Sequence, residues 1–485
     1  MQEDVNMQMV MDDVIDNYTL GYSMLLSRQL KDEGFKDSDF NAISDVISVC
    51  DVAVKCLINT FECVVTQLLT SFEDVKEFIH IYSAFSNPTK KKPISFRHTC
   101  RYILNLIPKL KLTSRPSSNS EDHNIFELCK LIALTNLIQS FVQAKAIQQI
   151  ESESCVSINI EKYIKIDYTS DKIIRLNSVL SHSLKPIHKN YSSEEDFSNL
   201  MTILEKNSPT VRILFDYISE FINNQADIFE VTREVNNNND PIISGLIFST
   251  ENVNFSEAIH SPYKTFYRTR FRPIIQINID GEIHYFTTAW MITEALDEIS
   301  TNLIPYGELP KGWEIIHELK QFCKQATQKL GKSFEDEVFK IIHPLYTVKR
   351  NINGFHNISL KKEIVPNTKR KVGEIDFILV DAIRKKMYVI DAKCTKTKFY
   401  FQAFIKDKDT FENYSIKLND KVEWVSSHKR EVGKFFKVSD VDQYSVEGIF
   451  VTNSMIYYNF YSSFPIIPID KLIQYISTSD RMCVI

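Results

Sequence analysis

The spacing of apolar residues changes twice along the chain, and the two changes mark three regions. Up to about Lys111, and again from Ile125 and from Glu194, apolar residues recur every three or four positions. This periodicity is typical of amphipathic helices. A polar run at 236–241 then ends the helical pattern. We therefore expect residues 1–235 to form a mainly helical region.

A strict alternation of apolar and polar residues follows at 273–288, with Asp280-Gly281 at its centre. Such a dipeptide between alternating segments predicts a β-hairpin. Just upstream, at 263–273, basic residues alternate with aromatic ones, a pattern found in nucleic-acid contacts and in half-buried edge strands. We expect residues 236–310 to be a connector that contains the hairpin.

From Lys311 onward helical and strand-like segments alternate. A long helix is predicted to end near Ile342, before Pro344. The elements predicted after it are strands near 359–365, 374–380 and 387–394, a helix over 416–436 and an apolar strand over 447–460. We therefore expect an α/β domain at 311–485, with a mixed central sheet flanked by helices. The whole chain is predicted to be an α+β multi-domain protein.

Composition and length narrow the class of protein. A chain of 485 residues exceeds one ordinary core, so two or three domains are expected. The nine cysteines form no C-x-x-C pair and are typical of core residues in a reducing cytoplasm. The chain opens without the basic region of a secretory signal, and the apolar segment 43–69 contains four charged residues. We expect a cytoplasmic protein without a membrane span.

Charge is distributed unevenly between the two ends of the chain. Residues 311–485 contain 29 of the 57 Lys and Arg residues but only 21 of the 62 Asp and Glu residues. The C-terminal part is therefore basic and the rest acidic, which favours a polyanion partner for the former. Three roles stay open for the acidic helical region: binding a protein partner, sensing a signal, and masking the basic surface. Solvated surfaces without a partner are the alternative. The basic clusters that could track phosphates are Lys349-Arg350, Lys361-Lys362 and Lys369-Arg370-Lys371.

The two strands predicted around residue 383 carry charges at unusual positions. If Val380 pairs with Met387 across the six-residue polar turn, Asp376 lies opposite Asp391. Because side chains alternate along strands, both aspartates and Lys393 would then share one face of the sheet. Two such carboxylates repel each other, and a divalent cation between them would relieve the repulsion. A simple ion pair at a strand end is the alternative.

These residues carry a resemblance to a known family. "GEIDFILV" and "MYVIDAK" are similar to the G-x-x-D and hydrophobic-(D/E)-x-K motifs of the PD-(D/E)xK nuclease superfamily, which includes restriction endonucleases and Holliday-junction resolvases. The resemblance covers about 311–464 and implies a restriction-endonuclease-like fold. Two departures are that Asp391 replaces the commoner glutamate and that no proline precedes Asp376.

The family also places a glutamate on the preceding helix, often in a G-x-x-F-E pattern. Gly331, Phe334 and Glu335 match that pattern, and Glu337 is the alternative carboxylate. The resemblance implies that Glu335, Asp376 and Asp391 bind one or two Mg²⁺ ions, for which Mn²⁺ can substitute. Lys393 would orient the attacking water, help to deprotonate it, or offset the charge that develops on the phosphate oxygens.

The expected reaction is metal-dependent hydrolysis of a phosphodiester bond in DNA, with RNA as the alternative polymer. Cutting both strands would favour a homodimer. Large appended domains on such nucleases suggest bacterial restriction or antiphage defence, by analogy alone. The alternative from another class is a non-catalytic interaction or scaffold protein that keeps the nuclease fold.

Overall fold

The computed structural model describes most of the chain in two compact units. The described residues are 2–36, 39–86, 94–115, 121–151, 153–169, 171, 174–175, 178–179, 194–220, 227–231, 240–260, 269–353, 374–396 and 402–478. Unit 1 comprises Met1–Thr169 and Ser192–Lys324, and unit 2 comprises Ser170–Tyr191 and Gln325–Ile485. Helices and mixed sheets are both present, so the expected α+β class is confirmed.

The described helices of unit 1 follow the apolar periodicity of the sequence. They are α1 (Gln2–Asp32), α2 (Ile43–Leu68), α3 (Phe72–Ser86), α4 (Ile94–Leu106), α5 (Glu121–Ile150), α6 (Glu194–Asn207), α7 (Pro209–Glu220), α8 (Pro241–Leu246), α9 (Phe255–His260) and α10 (Ala289–Glu298). In α2 the buried residues recur every three or four positions and face α5. Burial of these amphipathic faces is the main source of their helical stability.

Helix α5 includes a stretch, Ile125–Ile150, that is long and apolar enough to cross a membrane by length and composition. Most of its apolar residues are buried within unit 1, where α5 packs against α1, α2 and α4. Buried core helices of soluble proteins commonly have the same length and apolar composition, so this helix is weak evidence for a membrane span.

Two sheets complete unit 1. The first has the order β1-β3-β4 and is formed by Asp39–Phe40, Val156–Asn159 and Lys165–Tyr168. The second has the order β2-β7-β8-β5, with β6 also paired to β7. Its strands are β2 (Lys111–Leu112), β5 (Ile228–Glu230), β6 (Ile247–Phe248), β7 (Ile274–Ile279) and β8 (Glu282–Thr288).

The predicted hairpin is confirmed, and its setting is informative. Asp280 and Gly281 have φ angles of 51° and 91°, as a two-residue type I′ turn requires. Because β7 pairs with β2, the hairpin belongs to the same unit as the N-terminal helices. The hairpin of the predicted connector, 236–310, thus lies in unit 1, and the boundaries of the connector stay a prediction.

Two arginines of the basic and aromatic segment have structural roles. Arg272 is buried and donates hydrogen bonds to the carbonyl oxygens of Ser244 and Ile247. Arg270 forms an ion pair with Glu298. Of the two interpretations of this pattern, nucleic-acid contact does not hold for the buried Arg272, while residues 263–268 lie outside the described residues.

Unit 2 contains a five-stranded mixed sheet with the order β13-β12-β11-β10-β9. Its strands are β9 (Thr347–Asn353), β10 (Glu374–Asp381), β11 (Lys386–Lys393), β12 (Ser445–Thr452) and β13 (Ile466–Pro468). The β9–β10 and β10–β11 pairs are antiparallel, whereas β11–β12 and β12–β13 are parallel. The mixed central sheet expected from the sequence is therefore confirmed.

Helices cover both faces of this sheet. They are α11 (His317–Ile342), which begins in unit 1, α12 (Gln402–Ser427), α13 (Lys429–Phe436) and α14 (Leu472–Thr478). Phe334, Val338 and Ile342 of α11 pack with α14 against one face. Phe411, Leu418 and Val425 of α12 pack with α13 against the other.

Two predicted elements of unit 2 differ in detail from the structure, and a third cannot be compared with it. The strand expected at 359–365 lies outside the described residues, and the sequence analysis missed β9. The helix expected over 416–436 begins at Gln402 and is interrupted at His428. The last apolar strand ends at Thr452, and a 3₁₀ turn at Tyr457–Phe460 follows, in which Tyr457 and Tyr458 are buried.

Candidate active site

The turn between β10 and β11 sets the geometry of the candidate site. Asp381 is buried, and its Oδ1 accepts hydrogen bonds from the backbone N–H groups of Ile383 at 3.0 Å and Arg384 at 3.1 Å. Its Oδ2 accepts a bond from the Arg384 guanidinium at 2.9 Å. Lys385 adopts a left-handed φ of 52°, which completes the reversal of the chain. An aspartate at the start of a turn commonly organises it in this way.

The turn produces the register that the sequence predicts. Val380 pairs with Met387, and Phe377 pairs with Ile390. Extended by one residue, this antiparallel register sets Asp376 opposite Asp391. Both side chains therefore share the face of the sheet that α12 covers, together with Ile378 and Val389 of the core.

Asp376, Asp391 and Lys393 are brought together on this face. The Lys393 ammonium lies 2.9 Å from Asp391 Oδ2 and 3.9 Å from Asp376 Oδ2. Asp376 Oδ2 also accepts a hydrogen bond of 2.8 Å from the Ala392 N–H. The side chains of the two aspartates are 13% and 5% exposed, so solvent screens their charges poorly.

Helix α12 adds two residues that the sequence analysis missed. The buried Lys421 ammonium donates to Asp391 Oδ1 at 2.8 Å. The Lys393 ammonium lies 5.4 Å from the centroid of the Tyr414 ring. A signal for Lys421 was present, because it interrupts the apolar stripe of Phe411, Leu418 and Val425 at helical spacing.

The two aspartates have pKa values displaced in opposite directions. Burial, reinforced by the negative charge of Asp391, raises the pKa of Asp376 to about 7. Burial also acts to raise the pKa of Asp391, but the charges of Lys393 and Lys421 outweigh it and hold that pKa below the usual range. Near neutral pH Asp376 is therefore the carboxyl that takes up a proton, while Asp391 stays ionised.

Lys393 remains charged at this site. Burial alone would lower the pKa of its ammonium, but the charges of Asp391 and Asp376 raise the pKa above the usual value. Lys393 is therefore a cation, and it acts as a base only after losing a strongly held proton.

The candidate helix carboxylate, Glu335, approaches from the other face of the sheet. Its neighbour Phe334 packs with Phe377 and Ile390, whereas the aspartates point towards α12. Burial and the charge of Glu374 raise the pKa of Glu335, and the charges of Lys393 and Asp391 also act on it. Glu335 is thus within electrostatic reach of Lys393 and Asp391. Glu337 lies near Cys394 instead, where burial and the Glu337 charge raise the pKa of the thiol.

The two aspartates meet part of the requirements of a divalent cation. Asp376 and Asp391 provide adjacent oxygen donors of the kind that suits Mg²⁺. Within the described ranges, however, no three His, Cys, Asp or Glu side chains are grouped closely enough to hold a metal ion. The aspartate pair therefore fits Mg²⁺ in chemistry and proximity, and Glu335 is not drawn in as a third ligand.

The chain leaving β11 is held to the end of β12. The buried Asn453 side chain accepts a bond from the Thr395 N–H at 2.7 Å and donates one to the Thr395 carbonyl at 2.8 Å. Because β11 and β12 are parallel, this clamp lies at the carboxyl ends of both strands. It restrains the backbone two residues beyond Lys393.

Only part of the predicted phosphate-tracking surface can be described. Lys349 and Arg350 lie exposed on β9, where the Lys349 ammonium stands 5.3 Å from the Phe435 ring centroid and the Arg350 guanidinium 4.5 Å from that of Phe339. Arg350 also pairs with Asp336. The other clusters, Lys361-Lys362 and Lys369-Arg370-Lys371, lie outside the described residues.

Comparisons with known proteins found no relative of this chain. No protein-family model, no curated protein and no solved structure matches the chain.

Proposed function

We propose that unit 2 is a metal-dependent nuclease domain of the PD-(D/E)xK type with a restriction-endonuclease-like fold. The observation that carries the proposal is the meeting of Asp376, Asp391 and Lys393 on one face of a hairpin of defined register. The mixed sheet with helices on both faces is consistent with that fold.

Asp376 and Asp391 would hold Mg²⁺ or Mn²⁺. Glu335, which is not grouped with them among the described residues, would support the metal electrostatically from α11. A divalent cation bound there supplies Lewis-acid polarisation of a phosphate and a water of lowered pKa. Lys393, which is charged, would orient the attacking water and offset the negative charge that develops on the phosphate oxygens. Tyr414 and Asp391 would keep its ammonium in place.

DNA is the proposed polymer and RNA the alternative. Lys349 and Arg350 are exposed on the edge strand β9 and would contact phosphates beside the site. Binding that depends on such contacts weakens steeply as salt rises. Cleavage of both strands would favour two copies of the chain, and we extend the proposal to a cytoplasmic homodimer in bacterial antiphage defence by analogy.

A second candidate is favoured by a specific observation. Asp391 is already paired with two lysines, Lys393 and Lys421. With Asp376 ionised, the two carboxylates and the two ammonium groups balance without a metal. Such balance is what a non-catalytic scaffold that retains the nuclease fold would need. In that case the hairpin is an ion-paired structural element, and unit 2 serves to bind a partner.

One experiment separates the two candidates. Supercoiled plasmid, linear duplex, single-stranded DNA and RNA are each incubated with the full chain and Mg²⁺ or Mn²⁺. The variants are Lys393→Ala at the site and Lys417→Ala, an exposed lysine on α12, as the matched control. The nuclease proposal expects metal-dependent cutting that Lys393→Ala abolishes and Lys417→Ala retains. Absence of cutting by a correctly folded wild type would favour the scaffold, whereas cutting that survives Lys393→Ala would contradict the role proposed for Lys393.

A further inference from the structure

Lys421 is an unusual residue for its position on α12. It lies on the buried face of the helix, between Leu418 and Val425, where the neighbouring turns carry apolar residues. Burying an ammonium is costly unless an opposite charge compensates for the lost hydration. Asp391 provides that charge at 2.8 Å. The helix therefore delivers a positive charge directly to the candidate metal ligand.

The carboxylate of Asp391 is shared between two cations of the chain. Its Oδ2 lies 2.9 Å from the Lys393 ammonium and its Oδ1 lies 2.8 Å from that of Lys421. Lys393 belongs to the D-x-K motif and also approaches Asp376, whereas Lys421 comes from another element and contacts Asp391. A divalent cation that binds Asp391 would experience repulsion from both ammonium groups.

We propose that Lys421 is the resident counter-cation of this site, which holds Asp391 in place without metal and competes with a divalent cation for it. The inference rests on the proposed function, because it assumes that Asp391 is a metal ligand. Lys421 is a positioning residue, since it acts on the reaction through Asp391. The charge of Lys421 thus sets the metal concentration at which the site fills.

Three substitutions separate the charge of Lys421 from its hydrogen bond and its bulk. Lys421→Gln removes the charge but leaves an amide that can donate to Asp391. Lys421→Met removes both and keeps an unbranched chain. Lys421→Arg keeps the charge. Lys417→Met, made on the exposed side of the same helix, is the matched control.

The measurement is thermal unfolding of the full chain across a series of Mn²⁺ and Mg²⁺ concentrations, with calorimetric titration of Mn²⁺ as the second readout. We expect Lys421→Gln and Lys421→Met to reach half of the metal-induced stabilisation at a concentration at least about tenfold lower than the wild type. Lys421→Arg and Lys417→Met should keep the wild-type concentration. If Lys421→Met does not fold, Lys421→Gln decides the question.

Each contrary outcome has a distinct meaning. A lower Tm with an unchanged metal concentration would overturn the inference and leave Lys421 a structural residue in a metal-binding site. A higher metal concentration would also overturn it, because Lys421 would then assist the metal. No metal response in the wild type or in either neutral variant would overturn the inference together with the proposed metal site.

Discussion

Val380 pairs with Met387 across the β10–β11 hairpin, and this pairing places Asp376 opposite Asp391. A slip of one residue would turn the two carboxylates to opposite faces of the sheet. The register, and with it the candidate site, depends on the four-residue turn at 382–385 between the strands. Asp381 is the residue that organises this turn.

Replacement of Asp381 by alanine should destabilise unit 2. The change removes two hydrogen bonds to backbone N–H groups and leaves the Arg384 guanidinium without its partner at the turn. Since the carboxylate is buried, we expect a loss of about 1–3 kcal/mol in the free energy of unfolding. Chemical denaturation monitored by circular dichroism measures the loss.

Asp440→Ala is the control for Asp381→Ala. Asp440 lies close by and pairs with Lys385, the last residue of the turn, but both side chains are exposed. Exposed ion pairs contribute little, so the unfolding midpoint should stay close to that of the wild type. Equal losses in the two variants would contradict the role assigned to the buried carboxylate.

Stability should depend on pH through Asp376. The pKa of Asp376 is about 7 in the folded chain and about 3.9 in an unfolded one, because of burial and the charge of Asp391. The folded state therefore binds more protons between these values, and stability falls as pH rises through them. The groups that face Asp376 include Asp391, Lys393 and Lys421. Melting curves from pH 5 to pH 8 should show Tm decreasing, and Asp376→Asn should remove this part of the decrease.

Asp391→Asn provides the opposite case. Asp391 is ionised and is the counter-charge of two lysines, so its neutralisation leaves Lys393 and Lys421 insufficiently compensated. We expect a loss of about 3–5 kcal/mol near neutral pH. Asp376→Asn should be at least as stable as the wild type at pH 8. Similar losses of stability in Asp391→Asn and Asp376→Asn would contradict the conclusion that Asp376 is the carboxyl that takes up the proton.

The local features of the hairpin could be predicted from the sequence, whereas the features that depend on distant packing could not. Loop length and alternation were sufficient to pair Val380 with Met387. Lys421 could have been found from its place in an apolar helical stripe. The face of the sheet on which α11 packs could not be predicted in this way. It depends on contacts between Phe334 of α11 and Phe377 and Ile390 of the sheet, which are far apart in sequence. No local pattern specifies that contact, so the sequence could not show that Glu335 stays apart from the aspartates.

The close packing of α12 on the sheet depends on a glycine. Gly448 lies on β12 beside Val389, and a Cβ atom there would lie 2.7 Å from Val422 and 2.8 Å from Phe464. Gly448→Ala should therefore push α12 outward and destabilise unit 2 by about 1–3 kcal/mol. Because Val422 adjoins Lys421, the contact between Lys421 and Asp391 should weaken as well. Denaturation measures the first effect.

Gly331→Ala is the matched control for Gly448→Ala. Gly331 lies inside α11, and a Cβ atom there meets nothing within 4 Å. Alanine is the better helix former, so this variant should gain up to about 1 kcal/mol. A loss at Gly331 would show that the glycine of the G-x-x-F-E pattern has a role beyond helix packing.

The two glutamates of α11 should differ in their effect on the proposed reaction. Glu335 responds to the charges of Lys393 and Asp391, whereas Glu337 acts on Cys394. If Glu335 supports the metal, Glu335→Gln should lower metal-dependent cleavage by about 10- to 100-fold, the range seen when groups around a metal are altered. Glu337→Gln should retain cleavage, which is measured under single-turnover conditions with Mn²⁺. A reversed order would move the helix carboxylate to Glu337. Equal retention would mean that Asp376 and Asp391 serve the metal without a contribution from α11, consistent with the separation of Glu335 from them across the sheet.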